Sequence, residues 1–151
     1  MQTHPSGTRD HRSSTNPLTS IRCILRVVLA LKILGFLDDG PLHGYELRRR
    51  IVELDGPGSS LSDGALYPAL ARLEAAGCLV RTEEPGGRGR VRRRIEITAA
   101  GRERLHARLR QPDETEMTSM PRFLTVLAFL SHLPAAADRA AVLRRRLMIL
   151  Q

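Results

Sequence analysis

Aromatic residues and cysteine are scarce in this sequence, and both scarcities restrict what the protein can be. Aromatic side chains make up 3% of the 151 residues and tryptophan is absent, so a core must be mainly aliphatic, which favours helices. Hydrophobic residues make up 42%, enough for the core of one domain with an appendage. Cys23 and Cys78 stand far apart and outside any CxxC or Cys/His cluster. This spacing argues against a zinc site and predicts two reduced thiols.

The sequence also lacks a signal peptide and an uninterrupted apolar run. Residues 1–20 are polar and rich in Ser, Thr and Pro, which predicts a disordered N-terminal tail. The apolar segment 21–37 contains Arg22, Arg26 and Lys32, so it is too short and too charged to span a bilayer. We therefore expect a soluble, cytoplasmic protein with no membrane partner.

Recognisable catalytic constellations are missing as well. His43 is the only histidine within a motif, and no nucleophile–base set or pair of carboxylates accompanies it. The glycine-rich segment PGGRG, residues 85–89, lacks the Lys-Ser/Thr of a nucleotide-binding P-loop. The sequence therefore predicts no enzyme, no cofactor and no metal site.

Acidic residues are too few to balance the basic ones. The chain has 24 Lys and Arg against 16 Asp and Glu, a net charge of +8, and Lys32 is its only lysine. Residues 81–110 contain ten arginines and four glutamates, so this stretch alone carries +6. Such a concentration favours a polyanionic partner, and arginine contacts phosphate and guanine in a bidentate way. A GC-rich genome explains the high arginine content equally well.

The segment from Ser62 to Gly101 carries the clearest pattern. Leu66, Leu70 and Leu73 recur at helical spacing, and a glycine follows that helix. Two alternating stretches, residues 78–84 and 90–97, then flank PGGRG, as expected of a β-hairpin. The alternation directs Ile95 and Ile97 to the core, and Thr98 is placed to cap a further helix. A helix followed by a basic hairpin predicts a winged helix-turn-helix.

The whole chain is then predicted to be mainly α with a small β-hairpin. Further helices are expected over residues 21–38, 43–54, 98–110, 117–133 and 136–150. We divide the chain into a tail (1–20), a winged helix DNA-binding domain (21–111) and a C-terminal helical dimerisation region (112–151). The last two helices carry an apolar seam that needs a partner, either a second copy or the fourth helix. The dimerisation candidates are Leu127, Leu130, Leu143, Leu147 and Leu150.

The third helix supplies the candidates for reading DNA. Arg72 lies beyond Pro68 on the open face and is the candidate for a base edge, with a phosphate contact as the alternative. Tyr67 lies beside the buried stripe, where its phenol can reach a phosphate while its ring packs, with packing alone as the alternative. Ser62 and Ala65 are placed to face the groove, although Ser62 is equally suited to cap the helix.

The hairpin supplies the candidates for contacts with the DNA backbone. Arg88, Arg90 and Arg92 are predicted to contact phosphates or the minor groove. Arg93 and Arg94 are set apart from these, because one of them can pair with Glu83, Glu84 or Glu96. Near the start of the second helix, Tyr45 is a further phosphate candidate, although turn packing also explains this position.

Three blocks of sequence identify a known family. GPLHGYELRRRI (40–51), SDGALYPALARLEAAGCLV (62–80) and IEITAAGRERL (95–105) resemble the PadR family of bacterial transcriptional regulators. The resemblance covers residues 31–110, and residues 123–150 resemble more loosely the C-terminal helices of its longer subgroup. It implies a homodimeric winged-helix repressor of a palindromic operator. It also implies a third helix in the major groove, a wing at the backbone or minor groove, and relief of repression by small aromatic or drug-like effectors.

Several features depart from the family pattern. Ile95 replaces a usual aromatic residue, and the C-terminal region resembles a shortened version of the longer subgroup. Asp63 begins the third helix, where a phosphate is expected. Pro68 matches the family but lacks an N–H, so the helix either starts only a few residues before it or bends there. Two other functions remain open: a winged helix used for protein–protein interaction, and a membrane-surface protein using an amphipathic helix.

Overall fold

The computed structural model describes residues 17–151, with side chains from Arg22 onward. Residues 1–16 of the predicted disordered tail therefore lie outside the described residues. The first helix begins at Pro17, four residues before its predicted start at Ile21. Proline suits this position because the first turn of a helix needs no N–H from it.

Helices dominate the described part of the chain. They are α1 (Pro17–Asp38), α2 (Gly44–Asp55), α3 (Asp63–Ala75), α4 (Ala99–Arg110), α5 (Glu114–Thr118), α6 (Met120–Phe129) and α7 (Ala136–Leu150). The strands are β1 (Leu42–His43), β2 (Leu79–Pro85) and β3 (Val91–Ile97), and short 3₁₀ turns cover Gly87–Gly89 and Leu130–His132. The predicted class, mainly α with a winged helix-turn-helix, is confirmed.

The core is aliphatic, as the composition requires. It forms where α1 packs on α2, α3, α4 and the sheet. Each of these elements buries side chains in it: Leu31, Ile33, Leu34 and Leu37 from α1, Leu47 and Ile51 from α2, Leu66, Leu70 and Leu73 from α3, and Leu105 and Leu109 from α4. Their periodicity made these helices predictable.

The wing is an antiparallel hairpin extended by a third, very short strand. The strand order is β1-β3-β2, with Leu79 opposite Ile97 and Leu42 opposite Ile95. Ile95 and Ile97 are buried, which confirms the predicted core face of β3. Strand β1 was not predicted, because two residues are too few to show an alternating pattern.

A close backbone contact joins α3, the hairpin and α4. Gly77, at φ +72°, ends α3, and the N–H of Cys78 donates to the carbonyl of Leu73 at 2.9 Å. The carbonyl of Cys78 accepts from Thr98 N–H at 3.0 Å, and Thr98 Oγ1 accepts from the N–H of Gly101. A Cβ on Gly101 would overlap the Cys78 carbonyl oxygen. Only glycine therefore fits at this point of α4.

The C-terminal region differs from the single helix predicted over residues 117–133. Asp113 and Glu116 form a capping box that starts the separate helix α5, and the chain turns at Ser119. Pro121 then lies in the first turn of α6, where its missing N–H costs nothing. Two local helix starts thus divide a segment for which the apolar spacing alone predicted one continuous helix.

This region is joined to α1 by tight packing. Gly35 of α1 lies against the Phe129 ring, in a space that a Cβ would occupy. Asp38, at the end of α1, pairs with Arg102 at 2.9 Å and with His132 at 2.7 Å. The end of α6 is therefore attached to the winged helix by both apolar and polar contacts.

Gly101→Ala provides a test of the corner between α3 and α4. Alanine normally stabilises a helix relative to glycine, but here the added methyl group must displace backbone. We expect a loss of about 1–3 kcal/mol in the free energy of unfolding, measured by urea denaturation. Gly87→Ala is the matched control, because a Cβ there meets open space. A stabilised Gly101→Ala variant would contradict this packing.

Candidate nucleic-acid interface

Helix α3 begins with a side-chain cap and an ion pair. The Oγ of Ser62 accepts a hydrogen bond from the N–H of Ala65 at 3.2 Å, so Ser62 is a cap. Asp63 forms an ion pair with Arg48 of α2. This pair neutralises the carboxylate at the helix start, where its charge had been expected to oppose a phosphate.

The outermost line of α3 consists of small residues. Gly64, Pro68, Ala71 and Ala75 follow one another at spacings of four, three and four residues, and all are exposed. The helix continues through Pro68, because the carbonyl left without its donor is that of exposed Gly64 and can reach water. A surface without long side chains allows the helix backbone to approach another surface closely.

Tyr67 and Arg72 lie on opposite sides of this small-residue line. Tyr67 shares a cleft of about 850 Å³ with Tyr45 and the wing, and its hydroxyl lies beside Gly44, in the first turn of α2. Arg72 lies toward α1, in a shallow groove that Ala65 also lines. The structure therefore brings Tyr45 and Tyr67 together, and places Arg72 with Ala65 apart from them.

The wing arginines divide into paired and unpaired groups. Arg93 pairs with Glu83 and Arg94 with Glu84, each at 3.5 Å, in the cross-strand manner anticipated from the sequence. Arg88, Arg90 and Arg92 are exposed, line the same cleft as the tyrosines, and form no ion pair within residues 17–151. Arg88 occupies the hairpin tip with φ +62°. The predicted wing candidates are thus the arginines whose charge is not balanced.

Two contacts that sequence reasoning missed hold the wing against the helices. The side-chain Nε of Arg81, in β2, donates to Glu74 of α3 at 2.9 Å, and this hydrogen bond lowers the pKa of Glu74. His43 donates its backbone N–H to Glu46, lowering the pKa of that carboxyl, and its ring lies 3.4 Å from Glu84 of β2. The opposite charges were visible in the sequence, but the strand register that joins them was not.

Neither a metal-ligand cluster nor a membrane-spanning helix occurs among the described residues. Within residues 17–151, no group of three or more His, Cys, Asp or Glu is placed to hold a metal ion. In the same range, no helix combines the length and the apolar character needed to cross a bilayer. The cleft shared by Tyr45 and Tyr67 is lined mainly by arginines and these two phenols, with the imidazole of His43 and one carboxylate, that of Glu83. This excess of positive charge suits recognition of a polyanion.

Comparison with known proteins identifies the family. Residues 33–107 match the transcriptional regulator PadR-like family. The transcriptional regulator Rv3488 of Mycobacterium tuberculosis is 43% identical over 77 residues, which cover 51% of this chain and 68% of that protein. The chain belongs to the PadR-like family of transcriptional regulators. The PadR-like match coincides with the segment from α1 through the wing to α4.

Other relatives of this PadR-like chain differ in length or in sequence. An uncharacterized 37.1 kDa protein in transposon Tn4556 of Streptomyces fradiae is 37% identical over 115 residues, 74% of this chain but 32% of that protein. Transcriptional regulator TA0346 of Thermoplasma acidophilum matches with a TM-score of 0.53 and 29% identity, over 57% of this chain and 81% of that one.

PadR of Bacillus subtilis, whose structure is a complex with operator DNA, covers most of the chain. It matches with a TM-score of 0.54 and 24% identity, over 81% of this chain and 67% of that one. This likeness shows that the two proteins share a fold.

Proposed function

We propose that this PadR-family regulator is a repressor that binds a palindromic operator sequence-specifically as a homodimer. One observation carries the proposal: the start of α2, Tyr67 of α3 and the unpaired wing arginines all border one cleft. The Bacillus subtilis PadR structure, a complex with operator DNA, supports the same use of the shared fold.

Helix α3 is proposed to enter the major groove. Its line of small residues permits close approach to the base edges, and the methyl group of Ala71 suits contact with a thymine methyl. Arg72, on the α1 side of this line, is the side chain proposed to donate to a guanine. Ser62 and Ala65 border the groove at the start of the helix, where backbone N–H groups favour a phosphate.

The other side of α3 is proposed to hold the sugar–phosphate backbone. Tyr67 presents its hydroxyl group beside Gly44 in the first turn of α2, whose N–H groups and dipole attract an anion, and Tyr45 lines the same cleft. Arg88, Arg90 and Arg92 extend the same positive surface along the wing. These contacts supply affinity with little dependence on sequence.

The C-terminal helices are proposed to form the dimer. Leu127, Leu143, Leu147 and Leu150 are 38%, 41%, 60% and 60% exposed, which is a large apolar surface for one small chain. Leu130 departs from the sequence prediction: it is 6% exposed and packs in the core of its own chain, because it continues the helical spacing of the buried residues Phe123 and Val126. The proposed interface therefore excludes Leu130.

Leu147→Asp tests the proposed dimer. A buried, unpaired carboxylate at the interface is costly, so we expect monomers by analytical ultracentrifugation and at least tenfold weaker binding to a two-half-site duplex. Ala141→Asp is the control, because Ala141 is exposed on α7 away from the line of Leu143, Leu147 and Leu150. A dimer that withstands Leu147→Asp would place the interface elsewhere.

Arg90→Ala tests the grip of the wing on the backbone. With about six to eight phosphates neutralised per dimer, log K should fall against log salt with a slope near −5 to −7. Losing one contact in each half-site should reduce this slope by about 2, as measured by fluorescence anisotropy of a labelled duplex. Arg94→Ala is the control, because it removes the same charge from a residue paired with Glu84. Equal slopes for wild type and Arg90→Ala would contradict the wing assignment.

Arg72→Ala tests the reading of sequence. We first expect footprinting on the upstream intergenic DNA to reveal two half-sites about 34–36 Å apart. Against single-base variants of that operator, Arg72→Ala should lose about 1–3 kcal/mol of discrimination while its salt slope stays nearly constant. Absence of any protected site would favour a protein-interaction module over a DNA-binding regulator.

A further inference from the structure

The proposed DNA interface leaves one side of α3 without a contact to the sugar–phosphate backbone. The tyrosines and the wing arginines lie on one side of the small-residue line, and on the other side only Arg72 has been assigned, to a base. The major groove of a duplex is about 12 Å wide, close to the diameter of a helix with its side chains. A helix seated in this groove therefore has phosphates on both of its sides.

The first half of α1 lies along this second side of α3. A shallow groove of about 420 Å³ separates the two helices, and the small residues at the start of α3 form one of its walls. The other wall is one face of α1, which consists of Arg22, Leu25, Arg26 and Leu29. Leu29 is half-buried against the core, whereas Arg22 and Arg26 are exposed. Both guanidinium groups are therefore available to a partner that approaches α3.

The positive charge on this side of α3 is not balanced. Arg22, Arg26 and Arg72 line the groove, and among the described residues no Asp or Glu does so. The three arginines form no ion pair with another described residue. Arg22 and Arg26 are also four residues apart on one helix face, where like charges repel one another and weaken a helix slightly. Phosphates placed beside them would relieve this repulsion.

Shape and charge together restrict the occupant of this surface. A helix of a second copy such as α7 fits poorly, because α7 itself carries four arginines and one aspartate. The two arginines of α1 also flank the small-residue line, so a partner that they hold must contact α3 as well. A duplex meets both requirements, since its bases face α3 while its phosphates lie beside the helix.

We propose that Arg22 and Arg26 of α1 bind the operator backbone at the margin of the major groove opposite to the margin held by the wing. The inference rests on the proposed function and adds α1 to it as a further DNA-contacting element. With a phosphate held on each side, α3 is prevented from shifting sideways in the groove. Arg72 then meets its base from a fixed position.

Ethylation interference on the operator tests these contacts, because each ethyl group removes the charge of one phosphate. Binding of the wild type should be sensitive at two groups of phosphates in each half-site, one at each margin of the major groove. The double variant Arg22→Gln with Arg26→Gln should lose sensitivity at one margin only. Arg90→Ala is the matched control and should lose sensitivity only at the opposite margin. Wild-type sensitivity at a single margin, or identical losses in the two variants, would overturn the assignment of α1.

Arg22→Glu separates the loss of a DNA contact from a loss of structure. It places a negative charge four residues before Arg26 and near the start of α1, an arrangement that favours the helix. We therefore expect the free protein to unfold at the same or a higher temperature, while operator affinity falls at least tenfold. The double variant with Gln should reduce the slope of log K against log salt by about 2. Unchanged operator affinity in both variants would overturn the proposal.

Two further outcomes distinguish a failure of this proposal from a failure of the proposed function. If Arg22→Glu converts a wild-type dimer into monomers in analytical ultracentrifugation, this face of α1 binds a second copy. That result would overturn the DNA contact of α1 and leave the proposed function intact. If the wild type protects no DNA in footprinting, the proposed function itself is overturned, and the DNA contact of α1 with it.

Discussion

The geometry of the wing depends on one close contact, in which the first turn of α4 packs against the carbonyl group of Cys78. At this point the end of α3, the start of β2, the end of β3 and the start of α4 meet within a few residues. The glycine at position 101 permits the approach, and the hydrogen bonds of Thr98 hold it. The angle between α3 and the hairpin is thereby set by backbone. Side chains on the exposed surfaces can vary without changing it.

The charged side chains near the proposed interface fall into two groups, paired and unpaired. The carboxylates around the proposed interface are engaged by basic partners: Asp63 with Arg48, Glu74 with Arg81, Glu83 with Arg93 and Glu84 with Arg94. Exposed pairs of this kind add little stability. Their effect is to cancel charge locally, so that the field of the hairpin comes mainly from Arg88, Arg90 and Arg92. A count of charges along the sequence shows the excess but not where it remains unbalanced.

Sequence predicted the parts of the fold that rest on repeated local patterns. Helical spacing of leucines located α1 to α4, and alternation located the core face of β3. The sequence did not predict β1, because two residues are too few to show an alternating pattern. It also did not predict the break between α5 and α6, where a capping box and a proline start two separate helices within one continuous apolar pattern. Leu130 was placed on the predicted seam, but it shares the buried side of α6 with Phe123 and Val126, which the apolar pattern alone does not distinguish from the exposed side of Leu127.

The candidate interface was foreseen less completely than the fold. Its residue types were visible, but the placement of Tyr67 and Arg72 on opposite sides of α3 depends on which elements pack beside the helix. The contacts of Arg81 with Glu74 and of His43 with Glu84 join residues that are separated in the chain, and the pairing and packing of the strands bring them together.

The line of small residues on α3 separates folding from recognition. Gly64, Pro68, Ala71 and Ala75 are exposed, and the side chains that hold α3 in place lie on its opposite face. A longer side chain introduced at Ala71 or Ala75 would therefore alter the surface presented to a partner at little cost to the core. Substitutions at these positions can therefore change the specificity of α3, in evolution or by design, while the core that holds the helix in place stays constant.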